Sequence, residues 1–158
     1  MKHILMQHGD AVSADIDPQR PLSDSGRRDV LRLSDILARA QASPTRIMHS
    51  GKTRARQTAE LIGAAASPSA VIEVAEGLGP NDSVEPWAIK VATWVEPAAI
   101  VGHMPFVGRL TALLVVGSAN ADLVEFVPGS VLCVEQDSDG RWKIAWMLRP
   151  DVYRHICA

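Results

Sequence analysis

Short apolar runs alternate with helix-period stretches along the first two thirds of this sequence, and that alternation leaves few folds open. Residues 4–6 (ILM) and 98–101 (AAIV) read as short buried strands, and Arg46–His49 (RIMH) and Val71–Val74 (VIEV) as further short strands. Residues 27–40 carry Val30, Leu31, Leu33, Ile36, Leu37 and Ala40 at helical spacing, with Ser23 as an N-cap and Ser43-Pro44 as the stop. Arg27, Arg28, Arg32 and Arg39 read as its solvated face. A second helix begins near residues 50–53 and runs to about Ala65, with Ala55, Ala59, Leu61 and Ile62 as its apolar side. A third covers residues 86–95, with Trp87, Ile89, Val91 and Trp94 as apolar contacts. The fourth, residues 106–116, follows Pro105, a residue suited to a first helical turn. Strands that alternate with helices pair in parallel, because each helix carries the chain back across the sheet.

The last third reads differently. Residues 123–127 and 130–135 read as strands on either side of Pro128-Gly129. Residues 141–148 follow the turn DSDG, and alternation puts Trp142, Ile144 and Trp146 on one face. These strands would add an antiparallel edge. Residues 150–158 carry no pattern. A chain of 158 residues with no repeat and no linker is expected to form one domain over 1–158.

Charge and cysteine usage exclude several roles. A net charge of -2 gives no reason to expect nucleic acid or an anionic membrane as partner. No apolar run nears the roughly 18 residues of a membrane span. One lysine and then a polar segment do not make a signal peptide. Cys133 and Cys157 lack metal-site spacing and read as free thiols in a reducing cytoplasm.

Ligands of open α/β sheets bind at the carboxyl ends of the strands, and the sequence puts its chemistry there. The first strand runs into Gln7-His8-Gly9-Asp10, where Gly9 would let a ligand approach the backbone. The strand at 98–101 runs into Gly102-His103-Met104-Pro105, so the pattern repeats. Between them, a helix start carries Ser50, Lys52, Arg54 and Arg56. The string GKT there is not a phosphate-binding P-loop, because Arg46 stands where that motif needs its first glycine. Basic residues in a first turn oppose the helix dipole, and broken local rules mark function. Taken singly, these features also read as loop histidines and a solvated basic face. Together they suit a dianionic phosphoryl group. An imidazole can attack phosphorus and form a phosphohistidine, while cations steady the equatorial oxygens. A metal site is the weaker reading, since Asp10 and Glu76 stand in no ligand spacing.

Four stretches, in order, carry a family resemblance. HILMQHGDA is similar to a strand followed by Arg-His-Gly, and RPLSDSG to Arg-Pro-Leu-Thr-x-x-Gly. SGKTRARQTAE is similar to Ser-x-x-x-Arg-Ala-x-Gln-Thr-Ala, and IVGHMPFVGRL to a Gly-His-x-Pro segment. The chain thus resembles the histidine phosphatase superfamily (phosphoglycerate mutase-like), most closely its small bacterial SixA-type phosphohistidine phosphatases. The resemblance implies a three-layer α/β/α sandwich with a mostly parallel central sheet and an antiparallel edge. It implies no metal and no cofactor, His8 as nucleophile, and Arg54 and His103 as phosphate ligands. Gln7, Gly9, Arg20, Ser50 and Lys52 are expected around the substrate. The implied activity is hydrolysis of phosphohistidine on a phosphotransfer or signalling protein through a covalent phosphohistidine on His8. Phosphate or sulfate would then fit the pocket.

One departure stands out. The family's first motif begins with arginine, and here Gln7 takes its place. Glutamine donates hydrogen bonds but brings no charge. A hydrogen bond to a charged group contributes about 1.5–3 kcal/mol, so the loss is worth roughly ten- to hundred-fold in rate or affinity. Arg20 and Lys52 are the cations available to compensate. The alternative is a pseudophosphatase that binds phosphorylated proteins without turnover. The chain is too short for the long insertion that carries a general acid in larger relatives. Glu76, Asp82 and Glu85 are loosely placed candidates, and an open groove suits a protein substrate.

Overall fold

The computed structural model describes residues 1–156, so Cys157 lies outside the described residues. The elements in chain order are β1 (Lys2–Gln7), α1 (Asp24–Arg39), β2 (Arg46–His49), α2 (Thr53–Ala66), β3 (Val71–Val74), α3 (Glu85–Thr93), β4 (Ala98–Gly102), α4 (Phe106–Val116), β5 (Val131–Gln136), β6 (Trp142–Leu148) and α5 (Pro150–Ile156). The sheet has the order β3-β2-β4-β1-β5-β6. The first four of these strands pair in parallel, and β5 and β6 continue antiparallel from β1. The mostly parallel sheet and its antiparallel edge are therefore present.

Each face of the sheet carries its own core, because successive strand residues point to opposite sides. Ile4 and Met6 of β1 join Ile47, Ala99 and Val101 beneath α1, α2 and Tyr153 of α5. Leu5 joins Met48, Ile100 and Leu132 beneath α3 and α4. Two helical layers thus enclose the sheet. Ser23 caps α1 by accepting from the Gly26 N–H at 3.0 Å. The cap sets the helix start at Asp24, three residues ahead of the apolar period, because the first turn is polar.

Three expectations about the periphery need correction. Residues 123–127 form no strand. Both edges of β5 are already taken by β1 and β6, so the segment has no inner edge to pair with. Its Phe126 packs into the core on the α3/α4 side instead. Trp142, Ile144 and Trp146 do not share a face. Cys133 pairs with Trp146 but Val134 pairs with Ile144, so Ala145 is an extra residue. This bulge turns Trp146 onto the α1/α2 side while Trp142 and Ile144 stay on the other. Ile89 of α3 faces solvent, 68% exposed. Residues 150–156, which show no pattern in the sequence, form α5. Tyr153 there is buried and donates to the Gly129 carbonyl at 3.1 Å, and the Arg154 fork grips the buried Asp29 of α1, Nε to Oδ1 at 2.9 Å. At the opposite end of the sheet from the site, His3 is buried against Trp94 and Trp142. Burial, then the nearby N-terminal charge, lowers its pKa to about 4. The buried Cys133 thiol is pushed up to about 11, first by burial.

Candidate active site

The parallel strands β1, β2 and β4 end on one edge, and their following residues meet there. His8 comes directly after β1. Its N–H donates to the Gly102 carbonyl at 3.0 Å, and its carbonyl accepts from the Gly129 N–H at 2.9 Å. The residue is thereby clamped between the end of β4 and the turn before β5. Its ring tautomer follows from its partners. Nδ1 lies 2.7 Å from the Gly9 carbonyl, which can only accept, so Nδ1 carries the proton. Arg54 Nε lies 3.1 Å from Nε2 and can only donate, so Nε2 presents its lone pair. Burial lowers the His8 pKa to about 4. The Gly9 hydrogen bond and Asp10 oppose that shift, and the Arg54 and Arg20 charges add to it. At neutral pH the imidazole is uncharged.

His103, just past β4, is 2% exposed, and its ring centre stands 4.9 Å from that of His8. Its Nε2 lies 2.6 Å from Ser50 Oγ, and its Nδ1 is buried without a protein partner. Burial lowers its pKa to about 3, with His8, Arg54, Lys52 and Arg20 adding in that order. Arg54 sits in the first turn of α2, where burial and then Arg20 lower its pKa. Among the charges acting on the two histidines, Asp10 alone is a carboxylate.

The structure brings most of the expected residues to this edge. His8, Arg54, His103 and Ser50 are in contact, and the Lys52 charge reaches His103. Arg20 adopts a left-handed backbone (φ 48°), donates through Nε to the Val12 carbonyl at 3.2 Å, and projects its charge onto His8, Arg54 and His103. Gln7 is buried, and its Oε1 has no partner among the described residues. Arg56 turns away to Glu60 at 3.8 Å. Asp82 is occupied with the Gly79 N–H at 2.6 Å, and neither Glu76, Asp82 nor Glu85 acts on the histidines.

Gly9 is required by the packing of α1, whatever it does for ligand approach. A Cβ there would stand 2.7 Å from Val30 Cγ2 and 3.2 Å from the Gly26 carbonyl oxygen, so α1 closes over it. Its N–H donates to Thr58 Oγ1 at 3.0 Å and its carbonyl holds His8. Thr58 and its neighbour Gln57, which accepts from the Leu22 N–H at 2.8 Å, have no role assigned from sequence. The available signal was their polarity on an α2 surface that packs inward, with Thr58 one turn after Arg54.

No family model matches the sequence. Phosphohistidine phosphatase SixA of Escherichia coli (strain K12) is 26% identical over 155 residues, covering 95% of this chain and 94% of that protein. A solved structure of the protein histidine phosphatase SixA complexed with tungstate superposes with a TM-score of 0.84 at 26% identity, covering 96% of this chain and 98% of that one. A mycobacterial glucosyl-3-phosphoglycerate phosphatase in complex with VO3 shares the fold at 17% identity, with a TM-score of 0.72 over 92% of this chain and 97% of that one. Strands that end in paired imidazoles, over a sheet of this order, are the fold of the histidine phosphatases, and the chain is similar to members of that superfamily in sequence and in structure. Its likeness is to SixA in particular, and that likeness supports phosphatase activity. Among the described residues no helix is long and apolar enough to cross a membrane.

Proposed function

We propose that this protein hydrolyses phosphohistidine on a phosphotransfer or signalling protein, as a single domain, with His8 as nucleophile. The observation that carries the reading is the His8 imidazole: neutral, its Nδ1–H held by Gly9, its Nε2 lone pair aimed at Arg54. In the first step Nε2 attacks phosphorus of a substrate ring already protonated on its other nitrogen, the P–N bond breaks, and neutral imidazole departs with the bonding pair. Arg54 shifts its hydrogen bond from Nε2 to a phosphoryl oxygen, and His103 faces a second. Water then attacks the His8 phosphoryl group, releasing inorganic phosphate and restoring the neutral ring. Arg20 and Lys52 supply charge that Gln7 does not, and Ser50 orients His103.

The leaving group supports this substrate class. An alkoxide needs a strong proton donor. An imidazole departs near its own pKa of about 6.5 and manages without one. Asp10, the carboxylate whose charge reaches His8, is already held by Ser23 Oγ at 2.6 Å. The SixA relative, a phosphohistidine phosphatase, points the same way. Gln7, with its unpartnered Oε1 and no charge, favours the second reading, a pseudophosphatase that binds phosphorylated proteins without turnover.

Steady-state assays on a phosphohistidine protein, a sugar phosphate and an aryl phosphate separate these readings. Turnover of the first well above the second is expected. Labelled phosphohistidine protein should leave an acid-labile phosphoryl group on His8, absent in His8→Ala. Binding without release of phosphate would establish the pseudophosphatase.

A further inference from the structure

The loop that carries His8 and the helix that carries Arg54 meet at one buried hydroxyl. Thr58 lies fully buried in α2, four residues after Arg54. Its Oγ1 donates to the Arg54 carbonyl at 2.8 Å, the ordinary back-bond of a helical threonine. The same oxygen accepts from the Gly9 N–H at 3.0 Å, across 49 positions of sequence. A hydroxyl has one hydrogen to give and lone pairs to spare, so one side chain serves both partners. Gln57, beside it, accepts from the Leu22 N–H at 2.8 Å and ties down the segment that follows Arg20.

We propose that Thr58 is a positioning residue for the chemistry at His8. The inference rests on His8 acting as the nucleophile. Gly9 has no side chain by which it can be held, and α1 covers its Cα. Its orientation is therefore set through its backbone groups. Thr58 holds the N–H, and the carbonyl of the same residue receives the Nδ1–H of His8. With Gly9 anchored to the Arg54 turn, the Nδ1–H tautomer is kept and Nε2 faces the guanidinium at 3.1 Å. Without the hydroxyl, the Gly9 N–H is left buried and unpaired. Residue 9 then turns to find a partner, and its carbonyl leaves His8.

The test compares Thr58→Val, which keeps the shape and loses the hydroxyl, with Thr58→Ser, which keeps the hydroxyl. Small misplacements at a reacting centre cost up to about hundred-fold in rate, so kcat of Thr58→Val should fall ~10- to 100-fold with KM nearly unchanged. Thr58→Ser should stay near wild type. Nitrogen-15 spectra of the imidazoles supply a readout that needs no substrate: His8 should be the Nδ1–H tautomer in wild type and in Thr58→Ser, and a mixture in Thr58→Val. If wild type proves inactive but the tautomer still shifts, the hydrolase reading fails and the positioning role stands. Unchanged kcat and tautomer in Thr58→Val, or a Thr58→Ser as impaired as the valine variant, overturns the role. Should Thr58→Val not fold, amide exchange in wild type decides: a protected Gly9 N–H is expected, and one exchanging at the free rate refutes the bond.

Discussion

Replacing a helical glycine by alanine usually stabilises a protein, yet Gly26→Ala is expected to do the opposite here. Alanine is favoured over glycine inside a helix by about 1 kcal/mol. Gly26 lies in the first turn of α1, against the backbone that follows His8. A Cβ there would stand 2.8 Å from both the amide nitrogen and the carbonyl carbon of Asp10, and closer still to its oxygen. Carbon atoms in contact sit roughly 3.5–4.0 Å apart, so helix and loop must separate by about 1 Å. Neither partner is a side chain that could swing aside. Asp10 is also held in place, its carbonyl accepting from the Ser23 N–H at 2.9 Å. Overpacking costs about 1–3 kcal/mol, and backbone against backbone belongs at the top of that range. After the propensity gain, a net loss of about 2 kcal/mol remains, or roughly 4–8 °C in Tm. Gly63 and Gly108 serve as controls. A Cβ at Gly63 meets Ile72 Cδ1 at 2.6 Å, and one at Gly108 meets Met104 Cε at 2.9 Å, both movable ends of side chains. Their alanine variants should stay within about 1 kcal/mol of wild type. Urea unfolding at constant m measures all three. Phosphatase activity should fall in Gly26→Ala alone, because Asp10 is two residues from His8. A Gly26→Ala at least as stable as Gly63→Ala, and fully active, would refute the reasoning.

Arg20→Ala should lower kcat/KM by roughly ten- to hundred-fold, the worth of one charged hydrogen bond; Gln7→Arg should recover most of that loss in the double variant while adding little to wild type, and equal gains in both backgrounds would show that the two positions are independent. Acid should weaken the fold through its buried imidazoles. The folded pKa values of His3 and His8 are about 4 and that of His103 about 3, all below the unfolded value of 6.5. Their contribution is complete above pH 6.5 and is lost as pH falls towards 4, by at most about 1.4 kcal/mol per pH unit for each group. His3→Phe should flatten that slope in thermal melts at pH 7 and 4.5, and an unchanged slope counts against the burial argument. Arg154→Met should cost about 1–3 kcal/mol in urea unfolding by leaving the Asp29 carboxylate, whose side chain is 5% exposed, with only the longer Arg32 pair at 3.9 Å, and Asp29→Leu in addition should recover much of it.

The sheet and its helices were legible because their signals are local. Arg46–His49 and Val71–Val74 were bounded correctly from apolar runs and flanking proline and glycine. His8 and His103 were singled out because each follows such a run at its carboxyl end, and parallel pairing then places those ends on one edge. Where sequence reading failed, the missing fact was a partner. Residues 123–127 have the composition of a strand, but β1 and β6 already flank β5, and Phe126 is drawn into the core beneath α3 and α4 instead. The bulge at Ala145 depends on register with β5, so no alternation within residues 141–148 could reveal it. The α5 segment is too short to announce itself, and it is held by Tyr153 and Arg154 reaching the Gly129 carbonyl and Asp29.

At the site the division is the same. Sequence alone determined which chemistry was on offer, since two strand-end histidines beside a basic helix start suit a phosphoryl group whatever the details of packing. It could not say which nitrogen of His8 is free, that Gly9 exists to admit α1, or that Thr58 joins the two halves of the site. Those facts rest on contacts between residues up to 49 positions apart, and a hydrogen bond has a donor and an acceptor only once the fold has brought both to within about 3 Å.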